Sequence, residues 1–541
     1  MAEKKKKKFS LTPFSIILIL LVLVAVITMF CNGMDTGTTV DVTETLLWKD
    51  NITQVLPESE TALEALKEAG WQEITIVTGS EAVLVSGAGL PNILMSVANG
   101  FANAMEVIIF VFILGGFLGL VAHSGALETG IAVLVKALKG KELVIIPVLM
   151  AVFSICGSTY GMLEESVGFY ALLSGTMVAA GMDTIVASAI VLLGAGSGVL
   201  GSTVNPFAVG AAQGAANDAF EALGVNYTVN MGTMIAIGAI LWVIALSISI
   251  FFVFTYAKKV KADKGSTILS LQEQEAMVAE YGNKDLTEDV KLTGRQKAIL
   301  ILFGVTFLVM ILMFIPWFDL IPSLEYDWDN MAVVKGGAIG WTEYIFGVPF
   351  GVTYMLEAAT WFLIMGIIIG IVDMAGREEH AEAKIVDTFI AGCTDMMSVC
   401  LIIAVSRGVS VLMSETNFSA FLVHKVGGAL EGLHPAVFTP LNYLFHIVLS
   451  VLVPSSSGIA ALSGGVMAPI ANGAEKSVEV TLMTMVAANG LVNLITPTCG
   501  AIMGGLALAK VDYSTWVKWA AKVVGCIGVA SLVLLTIWGL F

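Results

Sequence analysis

Apolar runs of about twenty residues recur along the whole of this 541-residue chain, and that is the length a helix needs to cross the hydrocarbon core of a bilayer. With 57% of its residues hydrophobic and 13% charged, a water-soluble fold would be left with apolar surface it could not cover. The chain is therefore read as an all-α polytopic membrane protein. Full crossings are read over residues 12–31, 105–122, 184–221, 231–257, 297–316, 360–375, 396–413, 477–509 and 514–541. The first follows Lys4 to Lys8. It is long for a signal-peptide core and no small-residue cleavage site follows, so it is expected to be retained as a span.

Two apolar stretches are not simple spans. Residues 142–181 break at 157–161 (Gly-Ser-Thr-Tyr-Gly), and residues 436–473 break at 454–458 (Pro-Ser-Ser-Ser-Gly). Each has two short apolar arms around a small polar tip, the pattern of a re-entrant hairpin. Polar backbone survives at that depth only inside protein or beside a water-filled cavity.

Charge supports this count. Loops rich in Lys and Arg stay cytoplasmic. With the N-terminus inside, Lys136, Lys139, Lys141, Lys258 to Lys264, Arg377, Lys384 and Lys510 all fall inside, while the acidic stretches 35–81 and 319–343 fall outside, as does the C-terminus. The hairpins then enter from opposite sides. The net charge of −16 gives no footprint for nucleic acid. The six cysteines form no CxxC, the five histidines have no metal-ligand spacing, and no metal site is expected.

The same series occurs twice with opposite orientation: a span, an amphipathic stretch, a hairpin, a broken span and a plain span. Inverted repeats with paired interruptions mark secondary transporters, with the solute site where the interruptions meet. The expected divisions are an N-terminal span with an acidic extracellular segment (1–104), a first repeat (105–257), a charged cytoplasmic linker (258–296), scaffold spans (297–395) and a second repeat (396–541).

The chemistry is expected at the two tips and at two interruptions, 194–206 (GAGSGVLGSTVNP) and 489–500 (NGLVNLITPTCG). Glycine frees the backbone and proline removes a helical hydrogen bond, so carbonyls and amides become available. Ser158, Thr159, Ser202, Thr203, Ser455, Ser456, Ser457, Thr496 and Thr498 add hydroxyls, and Asn205, Asn489 and Asn493 add amides. Such groups suit a carboxylate at a helix N-terminus or a small cation at the carbonyls. Taken singly, each small residue is as well explained by helix packing. Glu164 and Glu165 follow the first tip, and a charge at that depth faces a site or a partner. A cationic solute group, a coupling proton or sodium, and a structural pair with Arg407 are all open. Adjacent helical residues diverge by about 100°, so one of the two is expected to face the site. His446 is read as a core residue.

The stretches GSTYGMLEESVGFY, LLGAGSGVLGSTVNPFAVG, PSSSGIAALSGGVMAPIA and NLITPTCGAIMGGLALAKVDYSTWVKW resemble the YfcC family of inner-membrane carriers. That family is related to the anaerobic four-carbon dicarboxylate carriers of the ion transporter superfamily, and the likeness covers residues 90–541. It implies a scaffold, a mobile domain holding both hairpins, elevator-type alternating access, a bacterial plasma membrane and a homodimer. The solutes it implies divide between basic amino acids, exchanged as arginine for ornithine, and dicarboxylates. The acidic segment 35–81 departs from the family pattern.

No HExxH, GxSxG or Walker pattern is present, so neither an enzyme nor an ATP-driven pump is expected, and no catalytic residue is assigned. Paired dead-end hairpins argue against an open channel. The expectation is a secondary active transporter of a small polar solute, an amino acid first and a carboxylate as the alternative. It would work with the lipid bilayer as its environment, without a resident cofactor, and with Na+ or H+ as the candidate coupling ion.

Overall fold

The computed structural model describes residues 13–49, 52–55, 72–127, 129–130, 142–282, 291–315, 317–321, 323–327, 332–337 and 339–540, with Lys67 and Val133. Helix dominates. Among the described residues, nine helices are long and apolar enough to cross a membrane.

Helix α1 (Pro13–Phe30) leads into an antiparallel sheet of β1 (Asp35–Lys49), β2 (Ile52–Val55) and β3 (Gln72–Leu84), in the order β2-β1-β3. The acidic segment is thus partly a sheet, rich in Thr, Val and Ile as strands prefer. Next come α2 (Leu90–Asn103) and α3 (Met105–His123). The pair α4 (Ile145–Tyr160) and α5 (Val167–Ala179) is followed by α6 (Thr184–Gly201), α7 (Ala211–Ala222) and α8 (Met231–Ala262). The linker holds a short helix, α9 (Leu271–Tyr281), and then come α10 (Gly294–Phe314) and α11 (Met355–Met374). The series resumes with α12 (Ala381–Asp395), α13 (Met397–Glu415), α14 (Phe418–Leu430), the pair α15 (Pro435–Leu452) and α16 (Ser456–Gly473), then α17 (Val478–Val492), α18 (Gly500–Leu508) and α19 (Tyr513–Trp538).

Side-chain caps fix several helix starts. Asp183 accepts from the Val186 amide, Asn230 from Thr233 and Ser477 from Val480, while Thr293 and Gln296 bond reciprocally. Helices α6 and α17 are buried along their whole length and form the centre of the bundle. A helix apolar all round belongs in such a position.

The element order repeats. Two helices with no counterpart in the sequence pattern, α2 and α12, each run into a long helix after a one-residue break, at Ala104 and Met396. One turn before the break, Gly100 and Gly392 meet the other half's long helix. A Cβ on Gly100 would lie 2.3 Å from the Ala404 carbonyl oxygen, and one on Gly392 would lie 2.3 Å from that of Gly115. Backbone contact this close requires glycine on the approaching helix.

The pair α4–α5 starts at the end of the bundle where α8 finishes, tied there by Lys261 to Glu142 at 2.5 Å and by Thr267 to Asp183 at 2.6 Å. The pair α15–α16 starts at the other end, where Lys476 meets the Glu431 carbonyl at 2.7 Å and α14 packs on β1. The Asp183 carboxyl, just before α6, is pushed up by burial, partly offset by hydrogen bonds from Thr267 and Tyr256. The first arm of the first pair, 142–160 with its leading turn, runs on through most of the expected tip, while that of the second, Pro435–Leu452, has the expected length; both satisfy the length for a crossing.

Candidate functional site

The interruptions are shorter than the glycine spacing implies. Helix α6 continues through Gly194, Gly196 and Gly198 to Gly201, and the chain leaves it only at Ser202. Those glycines serve packing: a Cβ would come within 3.1 Å of Phe153 at Gly194, 2.2 Å of Leu494 at Gly196 and 2.0 Å of the Ser154 carbonyl oxygen at Gly198. Likewise α17 continues past Asn489 and Gly490 to Val492, and only 493–499 is non-helical. Tight packing keeps the helical bonds that glycine alone would have released.

At the first interruption Ser202 adopts a left-handed backbone, φ 40°, a conformation that a non-glycine residue holds at a cost. Asn205 anchors the turn into the next helix. Its Oδ1 accepts from the Phe207 amide at 2.9 Å and its Nδ2 donates to Ser202 Oγ at 3.0 Å. The α4 tip is stitched to this segment. The Ser158 and Thr203 hydroxyls lie 2.9 Å apart, and the Thr203 amide donates to Ser158 Oγ at 3.2 Å. Gly161 (φ 79°) ends α4 so close to Asn205 that a Cβ would meet its amide at 2.9 Å. Thr159 turns back onto the Ile155 carbonyl at 2.8 Å.

The second tip is built on the Pro454 carbonyl, which accepts from Asn489 Nδ2 at 3.2 Å and Asn493 Nδ2 at 2.9 Å. Asn489 Oδ1 in turn accepts from Ser456 Oγ at 2.8 Å and from Asn493 Nδ2 at 3.1 Å. The Thr498 hydroxyl donates to the Val451 carbonyl at 2.7 Å and lies 2.8 Å from that of Thr496. Ser455 caps α16 by accepting from the Gly458 amide at 3.2 Å.

Both tips and both interruptions line one cavity of about 110 Å³. Glu164, Glu165, Asn205, Ser455, Ser456, Ser457, Asn493 and Thr498 face it. Ser158, Thr159, Ser202, Thr203, Asn489 and Thr496 do not line it. All but Thr159 bond directly to segments that do. Both glutamates reach the wall, where one was expected, and the chain there is a short 3₁₀ turn. Glu165 is buried and accepts from the Leu163 amide at 3.0 Å. Glu164 Oε1 stands 4.0 Å from an Arg407 guanidinium nitrogen, with side chains 28% and 24% exposed.

Arg407, Tyr354 and Phe207 also line the cavity. Arg407 is the only basic residue in α13, and an isolated charge in an apolar helix was signal enough to add it to the site. Tyr354 stands edge-on to Phe207 with ring centroids 5.2 Å apart. It lies at the end of a long loop and carries no sequence pattern. Tyr354, Arg407, Ser455 and Ser457 also border a vestibule of about 800 Å³, where Glu106 and Glu415 stand at the sheet end of the bundle. His446 is buried in α15, its Nδ1 bonded to the Asn442 carbonyl at 2.9 Å, and it does not line the cavity.

A polar cavity inside a bundle of apolar helices fits a membrane carrier, and a carrier family matches the chain. The model of DcuC, the C4-dicarboxylate anaerobic carrier, matches residues 12–538. The chain belongs to the DcuC family. It is therefore a multi-pass membrane transporter and not an enzyme. An uncharacterized protein of Haemophilus influenzae is 27% identical over 449 residues, 83% of this chain and 78% of that one. The Escherichia coli protein named "Putative basic amino acid antiporter YfcC" is 26% identical over 439 residues, 80% of this chain and 77% of that one. The resemblance to YfcC seen in the sequence motifs is thus borne out. Among solved structures, Neisseria gonorrhoeae MtrF, described as one of a class of antimetabolite efflux pumps, aligns with TM-score 0.43 and 16% identity, over 98% of this chain and 96% of that one. The Alcanivorax borkumensis YdaH transporter aligns with TM-score 0.41 and 15% identity, over 97% and 98%. Scores this low say nothing about the solute of this DcuC-family chain.

Proposed function

We propose that this chain is a secondary active carrier that exchanges basic amino acids, of the arginine or ornithine type, across a bacterial plasma membrane. The observation that carries this reading is the charge of the cavity, where two carboxylates, Glu164 and Glu165, stand with one guanidinium, Arg407. A dicarboxylate would bring further carboxylates into a desolvated space already lined by the carboxyl groups of Glu164 and Glu165. A basic amino acid brings a cationic group for the glutamates. Its carboxylate suits the hydroxyls of Ser455, Ser456 and Ser457 and the N-terminal ends of α16 and α18, which border the same cavity. The Escherichia coli relative, named "Putative basic amino acid antiporter YfcC", supports this reading.

The second reading, a four-carbon dicarboxylate, is favoured by the family description. There Na+ or H+ would be the coupling ion, supplying the positive charge that the glutamates require. Neither reading calls for a resident cofactor.

The architecture that supports transport is an inverted repeat with re-entrant hairpins. In this scheme α4–α8 and α15–α19 form the mobile body, while α1–α3 and α10–α13 form the framework of an elevator that works as a homodimer. The hairpins starting from opposite ends of the bundle support it. So does the α18–α13 contact, where Gly500 and Gly504 of the body run against Ile403 and Val399 of the framework. With basic loops cytoplasmic, the N-terminus lies inside, the C-terminus outside, and the vestibule opens outward.

Counterflow in proteoliposomes tests the solute. Vesicles loaded with arginine or ornithine should accumulate labelled arginine, and vesicles loaded with succinate should not. Accumulation driven by succinate and not by ornithine would reverse the two readings.

A further inference from the structure

The Arg407–Glu164 pair joins two parts of the molecule. Arg407 is fixed on the framework side: its neighbour Gly408 is the residue at which α13 presses on α2, where a Cβ would lie 2.8 Å from the Ser96 carbonyl oxygen. Glu164 belongs to the turn between α4 and α5, the first hairpin. The charges stand 4.0 Å apart, too far for a hydrogen bond, and among the described residues Arg407 makes no hydrogen bond at all. A guanidinium has five donors. Ser406, beside it on the cavity wall, is buried and also makes no hydrogen bond within the protein. This is a loose contact between charges that each keep capacity for another partner.

We propose that Arg407 is a tethered stand-in for the cationic group of the solute, and that it makes exchange obligatory. The inference rests on the basic amino acid reading given above. With no solute bound, Arg407 neutralises Glu164. Moving the hairpin body away from the framework would then leave a bare carboxylate and a bare guanidinium away from water, each at a high cost. A solute cation that takes over Glu164 travels with the body and removes half of that cost. Glu106, on α3 of the framework, borders the vestibule with Arg407 and is the carboxylate left to receive the released guanidinium. The body therefore crosses loaded and stays when empty. A dicarboxylate has no group to put in the place of Arg407 and leaves the latch closed.

The test compares exchange with net efflux. Proteoliposomes loaded with labelled arginine are diluted into buffer with or without external ornithine, for wild type, Arg407→Gln and Arg407→Lys. In the wild type, ornithine should accelerate efflux at least about tenfold, the factor expected for one charged contact. In Arg407→Gln the two rates should come within about twofold of each other, and Arg407→Lys, which keeps the cation, should restore the dependence. If Arg407→Gln does not fold, Glu164→Gln removes the other half of the latch and should also release efflux into empty buffer, with weaker arginine binding. Wild-type dependence on ornithine that persists in a folded Arg407→Gln or Glu164→Gln protein overturns the latch and leaves the carrier reading intact. A wild type that exchanges no basic amino acid overturns the carrier reading itself.

Discussion

Asn489 stands in the last turn of α17 and Asn493 just beyond its end, and the structure assigns them different work. Asn489 makes hydrogen bonds to the Pro454 carbonyl, Ser456 and Asn493, and does not line the main cavity. Among the described residues the Asn493 side chain bonds to Pro454 and Asn489 alone, lines the cavity, and keeps its Oδ1 without a partner. A neutral hydrogen bond contributes about 0.5–1.5 kcal/mol, so Asn489→Ala should lose roughly 1.5–4.5 kcal/mol of stability and Asn493→Ala roughly 1–3. Transport should rank the other way. A free amide oxygen in the wall is a ready acceptor for a solute N–H, and its removal costs a contact to a charged group of about 1.5–3 kcal/mol, tenfold or more in affinity. Thermal unfolding of each variant in detergent gives the first ranking, and the arginine concentration for half-maximal counterflow gives the second. The reasoning is refuted if activity simply tracks stability, with Asn493→Ala the more active of the two, or if Asn493→Ala transports with wild-type affinity.

On a background with all six cysteines replaced, a single cysteine at Glu325 should react with an impermeant maleimide on intact cells, and one at the exposed Glu275 of α9 only after permeabilisation; the reverse labelling would overturn the orientation and the repeat. Gly100→Ala forces a methyl group to 2.3 Å from the Ala404 carbonyl oxygen and should destabilise by about 1–3 kcal/mol, while Gly428→Ala, with nothing within 4 Å, should be neutral or slightly stabilising in the same unfolding assay. In the loop before α8 the Tyr227 hydroxyl is pushed up to about 12, first by burial and then by Glu479, to which it donates at 3.0 Å. A raised folded-state value means that this contribution is complete below the ordinary value of 10 and is lost as pH rises through about 12. Tyr227→Phe should therefore lower stability at neutral pH and shrink the alkaline loss between those values, as read by unfolding across a pH series.

Most spans and the second tip were legible in the sequence because hydropathy and charge are local signals, whereas the first expected tip proved to be the last turn of α4. The run 231–257 needs no partner to be recognised, and Pro454 with three serines announces a turn wherever it lies. The extent of the interruptions was not legible. Gly194, Gly196 and Gly198 look like an unwound segment, and whether they unwind or pack depends on Met150, Phe153, Ser154 and Leu494, which are distant in sequence. Helices α2 and α12 were missed because each is short and ends one residue before a longer apolar helix, so the break leaves no hydropathy gap. The strands of 35–84 were hidden by their charge: Val40, Val42, Leu46 and Trp48 fall at the alternate spacing of a strand, but the many acidic residues around them made the segment look like a loop.

The polar residues in and behind the cavity wall separate into groups whose hydrogen bonds are used up and groups whose bonds are not, and the division indicates what the site is built for. Ser202, Thr203, Asn205 and Asn489 have their side chains bonded to the interruptions and tips. They hold a shape that would otherwise relax, as the left-handed backbone at Ser202 indicates. Asn493 Oδ1, Ser406 Oγ and the Arg407 guanidinium line the cavity and have no hydrogen-bond partner among the described residues. The two that are buried, Asn493 Oδ1 and Ser406 Oγ, cost about 1–3 kcal/mol each unless something occupies them. A wall that combines a fixed inner set with an open set of acceptor, hydroxyl, cation and carboxylate is suited to a solute that is polar at both ends. An apolar solute would leave every one of these groups unpaired, and a purely anionic one would leave Glu164 and Glu165 facing like charge. The open hydrogen-bonding groups thus favour the same class of solute as the two carboxyl groups that line the cavity.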